Sequence, residues 1–248
     1  MDHYGLIGNP VSHSLSEKYF TDKFMLEDID ARYERFLLQD IHGLIPLLDT
    51  YPSLKGLSVT SPFKTDVIQY CDELDDVARK IRAVNTLEIT LDSGKRHIKG
   101  YNTDVDGFAT ALLRMVGSKK PDALILGSGG AARAVAYALR KLDIAFSVVS
   151  RQAGKGKITY SGLTAKHIHS HKLIINTTPL GMGMYMDEYP EIPYKHLSSA
   201  HLLFDLIYNP PETPFLIKAK QRKAACGNGL IMLQAQAEKA WEIWNSEL

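Results

Sequence analysis

Short β-type runs and amphipathic helical stretches alternate along the chain, the pattern expected of an α/β fold. In the first hundred residues the apolar spacing predicts strands at His3–Gly8, Arg32–Leu38 and Leu54–Thr60, the last closed by Pro62. Helices are predicted over Ser14–Met25 and Ile41–Asp49, with two shorter helical pieces at Thr65–Cys71 and Asp75–Arg82. Val84–Leu91 and Arg96–Gly100 read as a hairpin about Asp92-Ser93-Gly94, and so as antiparallel strands at the edge of a mixed sheet.

The texture changes after a bridging helix over Thr103–Val116. Ala123–Leu126 is a continuous apolar run, as a strand buried on both faces requires. Gly127–Gly130 breaks it, and an alanine-rich helix, Ala131–Leu142, leads to a second buried strand, Ala145–Val149. Leu173–Asn176 and Leu202–Leu206 read as further parallel strands, so this half has the layout of a dinucleotide-binding fold. The last helix, Ile231–Trp244, carries Leu233, Ala237, Ala240, Trp241 and Trp244 at helical spacing, which assigns both tryptophans to packing.

Composition narrows the field. The 248 residues are 45% hydrophobic and 23% charged, which excludes a disordered chain and fits one large domain or two small ones. A net charge of +1 gives no global field for nucleic acid or an anionic membrane. No apolar run approaches the ~18–20 residues of a membrane span. The start, Met-Asp-His-Tyr-Gly, lacks the pattern of a signal peptide. Cys71 and Cys226 form no C-x-x-C pair and read as free thiols of a reducing compartment, so a cytoplasmic protein is expected.

The turn after Ala123–Leu126 fits G-x-G-x-x-A. Gly127 would allow the tight exit from the strand, Gly129 a close approach to a pyrophosphate, and Ala132 a helix close to the sheet. The helix start then offers free N–H groups to phosphates; the other reading is a tight structural turn. Ser150-Arg151-Gln152 follows the second strand, with Lys155 and Lys157 beyond and no carboxylate between Phe146 and Lys157. An arginine there suits a 2′-phosphate, which predicts NADP over NAD, unless Arg151 merely caps a surface loop.

Three polar segments of the first hundred residues follow strands. In Gly8-Asn-Pro-Val-Ser-His-Ser14-Leu-Ser16, the two serines can cap the next helix or bind a carboxylate. In Ser58-Val-Thr60-Ser-Pro-Phe-Lys64, the lysine is a general acid/base candidate or a solvated charge. In Ala83-Val-Asn85-Thr and Gly100-Tyr-Asn-Thr-Asp104, the second stretch can equally cap a helix.

Together these motifs resemble the shikimate dehydrogenase family. S-x-S matches Ser14 and Ser16; N-V-T-x-P-x-K matches Val59, Thr60, Pro62 and Lys64; A-V-N-T matches Ala83 to Thr86; N-T-D-x-x-G matches Asn102 to Asp104 and Gly107. The glycine loop matches at Gly127, Gly129, Gly130 and Ala134. Asn176–Met182, Asp205–Pro210, Thr213-Pro214 and Met232–Ala237 follow in family order.

The resemblance implies a substrate-binding domain with a mixed sheet over 1–102, joined by a returning C-terminal segment 228–248, and a Rossmann NADP-binding domain over 103–227. It implies reversible reduction of 3-dehydroshikimate to shikimate, a step toward aromatic amino acids. Lys64 and Asp104 would be catalytic. Ser14, Ser16, Thr60, Asn85, Tyr208 and Gln236 would hold the substrate. Gly127, Ser128, Gly129, Gly130, Ala131, Ser150, Arg151, Thr177 and Gly229 would hold NADP, and no metal is implied. Beyond the small-molecule substrate no nucleic-acid or membrane partner is implied, and the chain would be a monomer or homodimer. Departures from the family pattern are Ser58 for Asn, Glu17 for Pro, Arg82 for Gly, Tyr101 for Asp or Gly, and Ser150-Arg151-Gln152 for N-R-T.

Two alternatives stand beside this reading. One is a paralogue that also oxidises quinate or uses NAD, and the other is a non-catalytic ligand sensor on the same scaffold. His167, His169 and His171 alternate, and on an extended segment they would share a face that could bind a metal; with no nearby Cys or carboxylate to complete a site, the segment reads as a solvated loop. Asn176-Thr-Thr matches a glycosylation sequon but follows a buried strand.

Overall fold

The computed structural model describes residues 1–12 and 14–246; His13 of the first polar segment and the last two residues of the C-terminal segment lie outside them. The chain forms two compact units, Met1–Thr103 with the stretch from Gln236, and Asp104–Ala235.

The first unit holds β1 (Asp2–Gly8), α1 (Ser16–Leu26), β2 (Ala31–Leu37), α2 (Leu44–Thr50), β3 (Leu54–Val59), β4 (Glu73–Leu74), α3 (Asp76–Ile81), β5 (Thr86–Asp92) and β6 (Lys95–Tyr101). They form one mixed sheet in the order β2-β1-β3-β5-β6-β4. β1 pairs in parallel with β2 and β3, while β5 is antiparallel to β3 and β6. The hairpin turns through Ser93 and Gly94, both at positive φ, as a two-residue turn matched to strand twist requires.

Successive residues of β1 face opposite sides. Ile7 joins Leu44, Leu48, Leu57 and Leu87 on one face. Tyr4 and Leu6 join Phe20, Phe24, Tyr33, Ala237, Ala240 and Trp244 on the other. The C-terminal helix therefore returns to this sheet. Trp244 stacks on Tyr4 (5.0 Å, 25°) and its indole N–H donates to the Leu87 carbonyl at 2.9 Å. Gly56 makes this approach possible, because a Cβ there would collide with the Trp244 ring.

The second unit holds α4 (Asp104–Val116), β7 (Ala123–Leu126), α5 (Gly130–Lys141), β8 (Phe146–Ser150), β9 (Lys157–Thr159), α6 (Ala165–Ser170), β10 (Leu173–Asn176), β11 (Leu202–Asp205), α7 (Pro214–Lys220), β12 (Ala225–Gly227) and the start of α8 (Leu230–Trp244). Its sheet is parallel throughout, in the order β12-β11-β10-β7-β8-β9. The strand order reverses between β7 and β10, and ligands bind such sheets at that switch point, beyond the strands' carboxyl ends. β7 and β10 are buried along their whole length. Ala132, Ala134, Ala136 and Ala138 are buried on α5, where small side chains let the helix lie close to its surroundings.

Several expectations are corrected. The segment read as an extended loop at Lys166–Lys172 forms α6, because His167 Nδ1 accepts the Thr164 N–H (3.1 Å) and closes the helix start. In a helix, His167 and His169 no longer share a face. Thr65–Cys71 gives a short 3-10 turn, Asp66–Tyr70, and β5 starts at Thr86 because the Val84 N–H is taken by the Lys64 carbonyl at 2.7 Å. β4, β9 and β12 are short strands that carry no apolar alternation. Both cysteines are free. Among the described residues, no helix is long and apolar enough to cross a membrane.

Candidate active site

In the first unit, β1 and β3 are adjacent and parallel, so the loops that follow Gly8 and Val59 leave from the same edge. The Thr60 N–H donates to Ile7 O (2.9 Å) and the Phe63 N–H to Thr60 O (3.1 Å), which shapes the turn before Lys64. A Cβ on Gly8 would strike Thr60 Cγ2, so the two loops pass only over a glycine. Lys64 is half-buried, and its carbonyl holds Val84 beside Asn85.

The serine pair heads α1. Ser14 Oγ donates to Ser16 Oγ (3.1 Å) and accepts the Ser16 N–H (3.2 Å). Capping and ligand presentation are thus not exclusive, since Ser14 satisfies one helix-end donor while both hydroxyls stay together. Leu15, not either serine, occupies the N-cap position. Arg35 pins this loop through Ser12 O (3.0 Å) and Glu17 (2.7 Å), so Glu17 has a structural partner.

Asn85 is the centre of a buried polar cluster. Its Oδ1 accepts the Thr103 N–H at 2.7 Å and the Thr86 hydroxyl at 3.1 Å. Its Nδ2 donates to Thr103 Oγ1 (3.0 Å) and to Gln236 Oε1 (3.4 Å), and Thr103 Oγ1 donates to the same Gln236 oxygen (3.4 Å). A side chain that cannot change one bond without disturbing the others is held in one orientation. Asn102 Nδ2 donates to Ala83 O (3.0 Å), which ties the two motif loops together. Ser58 is buried in β3 between Leu6 and Thr86.

The second unit holds other residues expected to act on the substrate. Asp104 is buried and opens α4, where the helix dipole favours a negative group. Tyr208 is half-buried in the loop after β11. Asp205, fully buried, ties that loop down by accepting from Thr213 Oγ1 (2.6 Å), Ile207 N–H (3.0 Å) and Asn176 Nδ2 (3.1 Å). Burial pushes its carboxyl up to about 6. Asn176 Oδ1 in turn accepts from the Thr178 hydroxyl (2.6 Å) and N–H (3.0 Å), so the loops after β10 and β11 share one network.

A cavity of about 500 Å³ opens at the switch point, and Gly127, Ser128, Gly129, Ser150, Arg151 and Thr177 all line it. Gly127 has φ +117°, and a Cβ there would meet Thr177 Oγ1 at 2.5 Å. Gly129 faces open space and is the N-cap of α5 with no capping side chain, which leaves helix N–H groups for an anion. Ser150 Oγ donates to Gln152 O, shaping the bend at Arg151. Gly130 and Ala131 form the first turn of α5 behind this lining. Gly229 is placed elsewhere: it begins α8 against the Leu206 backbone, where any Cβ would collide. Sequence reasoning missed Tyr160 and Thr178 in the cavity and Thr103 in the polar cluster. Thr103 was present in the Asn-Thr-Asp motif, but its pairing with Asn85 needs the register of β5 and β6.

The switch-point cavity on a parallel sheet of this order defines a Rossmann-type dinucleotide-binding protein, here joined to a mixed-sheet unit. The model of the shikimate dehydrogenase substrate binding domain matches residues 6–87. The shikimate dehydrogenase (NADP(+)) of Bacillus cereus is 34% identical over 265 residues, spanning 97% of this chain and 91% of that protein. The crystal structure of shikimate dehydrogenase from Aquifex aeolicus superposes with TM-score 0.87 at 32% identity, covering 100% of this chain and 93% of that one. The Thermus thermophilus enzyme, solved in complex with NADP(H) and shikimate, gives TM-score 0.86 at 28% identity and covers 100% and 95%. The chain belongs to the shikimate dehydrogenase family.

Proposed function

We propose that this chain catalyses the reversible NADPH-dependent reduction of 3-dehydroshikimate to shikimate. The observation that carries the reading is Gln236, from the end of the chain, meeting Asn85 and Thr103 in a buried amide–hydroxyl cluster of the unit that the substrate-domain model matches. Such a cluster offers oriented donors and acceptors to ring hydroxyls. The relatives' NADP(+) designation does not favour the quinate- or NAD-using alternative.

The residues divide the work. Ser14 and Ser16 donate hydroxyls to the substrate carboxylate. Thr60, Asn85, Asp104 and Gln236 fix the ring hydroxyls, and Tyr208 also binds the substrate. The Lys64 ammonium donates a proton to the carbonyl oxygen as negative charge develops there during reduction. In the oxidative direction the alcohol proton passes to Lys64 or Asp104. NADP, when bound, supplies the hydride-transfer chemistry. Its fit rests on the cavity's open α5 terminus, the free space over Gly129, and Arg151 for the 2′-phosphate.

The first unit, expected as 1–102 with 228–248, takes the substrate and the second, expected as 103–227, takes NADP; the compact units divide after Thr103 and before Gln236, so residues 228–235 go with the second. The enzyme works in the cytoplasm as a monomer or homodimer, on a small-molecule substrate and without nucleic acid. The test is absorbance at 340 nm with purified protein, shikimate and either NADP or NAD. A rise much faster with NADP is expected. A rise mainly with NAD would overturn the cofactor assignment, and no rise from protein that binds nucleotide would overturn the substrate.

A further inference from the structure

The link between β8 and β9 is unusual. Parallel neighbours need a crossover of about a dozen residues or more, most often a helix. Here only residues 151–156 lie between them, and they contain no helix. The register pairs Ser150 with Thr159, so the next residue of each strand, Arg151 and Tyr160, emerge side by side at the carboxyl edge. Both line the dinucleotide cavity.

The Tyr160 hydroxyl oxygen is buried and has no hydrogen-bond partner among the described residues. An unsatisfied buried hydroxyl is costly, and in a native site it calls for a partner. Burial pushes the Tyr160 hydroxyl up to about 12, so it stays a neutral O–H donor at physiological pH. The charged group that acts on it is Arg151. Arg151 and Lys155 on the link and Lys157 at the start of β9 are exposed, the Lys157 stem lies against Gly154, and no Asp or Glu occurs between Asp143 and Asp187. The one carboxylate among the cavity-lining residues, Glu188, comes from the stretch after β10, two strands from β8.

We propose that Tyr160 is a second recognition residue for the adenosine 2′-phosphate, its hydroxyl donating to a phosphate oxygen that Arg151 also grips. The inference rests on the NADP reading above. It makes the helix-less crossover a specificity device, because the short link brings the residue after β9 beside the arginine after β8.

Tyr160→Phe removes only the hydroxyl. Calorimetry on the full chain compares adenosine 2′,5′-bisphosphate with AMP, which differ by the 2′-phosphate alone. The variant should bind the bisphosphate about ten-fold more weakly, as for a lost hydrogen bond to a charged group, and bind AMP as the wild type does. The KM for NADP should rise with kcat unchanged. Combined with Arg151→Ala, the two losses should be less than additive, since both groups serve one phosphate. Equal weakening toward both nucleotides would make Tyr160 a packing residue, and no change in either would make its hydroxyl irrelevant; each overturns the proposal. If the wild type itself does not prefer the bisphosphate, the NADP reading fails first and takes this inference with it.

Discussion

The candidate sites of the two units are built from different kinds of atoms. In the first, the candidate groups are side chains bonded to one another: Asn85, Thr103 and Gln236 share one buried network, and Ser14 bonds to Ser16. In the second, the glycine turn offers backbone N–H groups, with Gly129 facing open space and α5 uncapped by any side chain, beside the Arg151 side chain. The contrast suits the proposed ligands. A ring carrying several hydroxyls needs a set of donors and acceptors with fixed identities, which only side chains supply. A pyrophosphate needs many equivalent donors and positive potential, which a helix start already has. Substitutions should therefore act differently in the two units: by lost chemistry in the first, by added bulk in the second.

The largest effect should come from Trp244→Ala. It empties a buried indole site between Tyr4 and Gly56 and leaves the Leu87 carbonyl without its partner, costing about 3–5 kcal/mol in denaturant unfolding. Because α8 also carries Gln236, the KM for shikimate should rise in whatever protein still folds; an unchanged KM would separate Trp244 from the site. Lys64→Ala should lower kcat by at least ~10²-fold, the low end for general acid/base catalysis, with folding intact. Near-normal turnover would remove Lys64 from the mechanism.

The glycine turn offers a finer test. Gly127→Ala forces a side chain into a φ of +117° and against Thr177, so stability should drop by about 1–3 kcal/mol. Gly129→Ala meets nothing within 4 Å, so its Tm should stay with the wild type while the KM for NADP rises about ten-fold. Matching losses of stability in both would mean that Gly129, too, is only a turn residue.

The smallest effects separate the units by pH. Burial lowers the His3 pKa below its ordinary 6.5, with the Arg32 guanidinium 3.2 Å from Nδ1 adding to the drop and Glu34 at 2.6 Å from Nε2 opposing it. The unfolded chain then binds the proton more readily, so His3 stabilises the fold above pH 6.5 and loses that contribution as pH falls below it. Asp205 has the opposite sign. Its folded value of about 6 lies above the unfolded 3.8, so its contribution is fully present below 3.8 and is lost as pH rises through 6. Chemical denaturation from pH 4 to 7 should show Asp205→Asn removing the second trend and His3→Gln the first. A slope unaltered by either variant would contradict both assignments.

Legibility along the chain followed burial and local chemistry. β7 and β10 were readable because central parallel strands are apolar on both faces, and the glycine turn because its backbone tolerates few alternatives. β9 and β12 were not, since edge strands this short make their bonds to a neighbour that the local sequence does not reveal. α6 was hidden because its start is closed by a histidine, outside the usual capping vocabulary. In the site, Ser14, Lys64 and Asn85 were visible as polar residues after strands. The return of Gln236 came only from family resemblance, because a contact across 151 residues leaves no local trace. Tyr160 left no signal, because its place beside Arg151 depends on β9, which the sequence did not reveal.

The most direct test of the contrast is a pair of KM values measured on two variants. Asn85→Ala should raise the KM for shikimate by about ten-fold or more while leaving that for NADP near the wild type, and Gly129→Ala should do the reverse. Either variant shifting both constants equally would contradict the division of labour between a side-chain site and a backbone site.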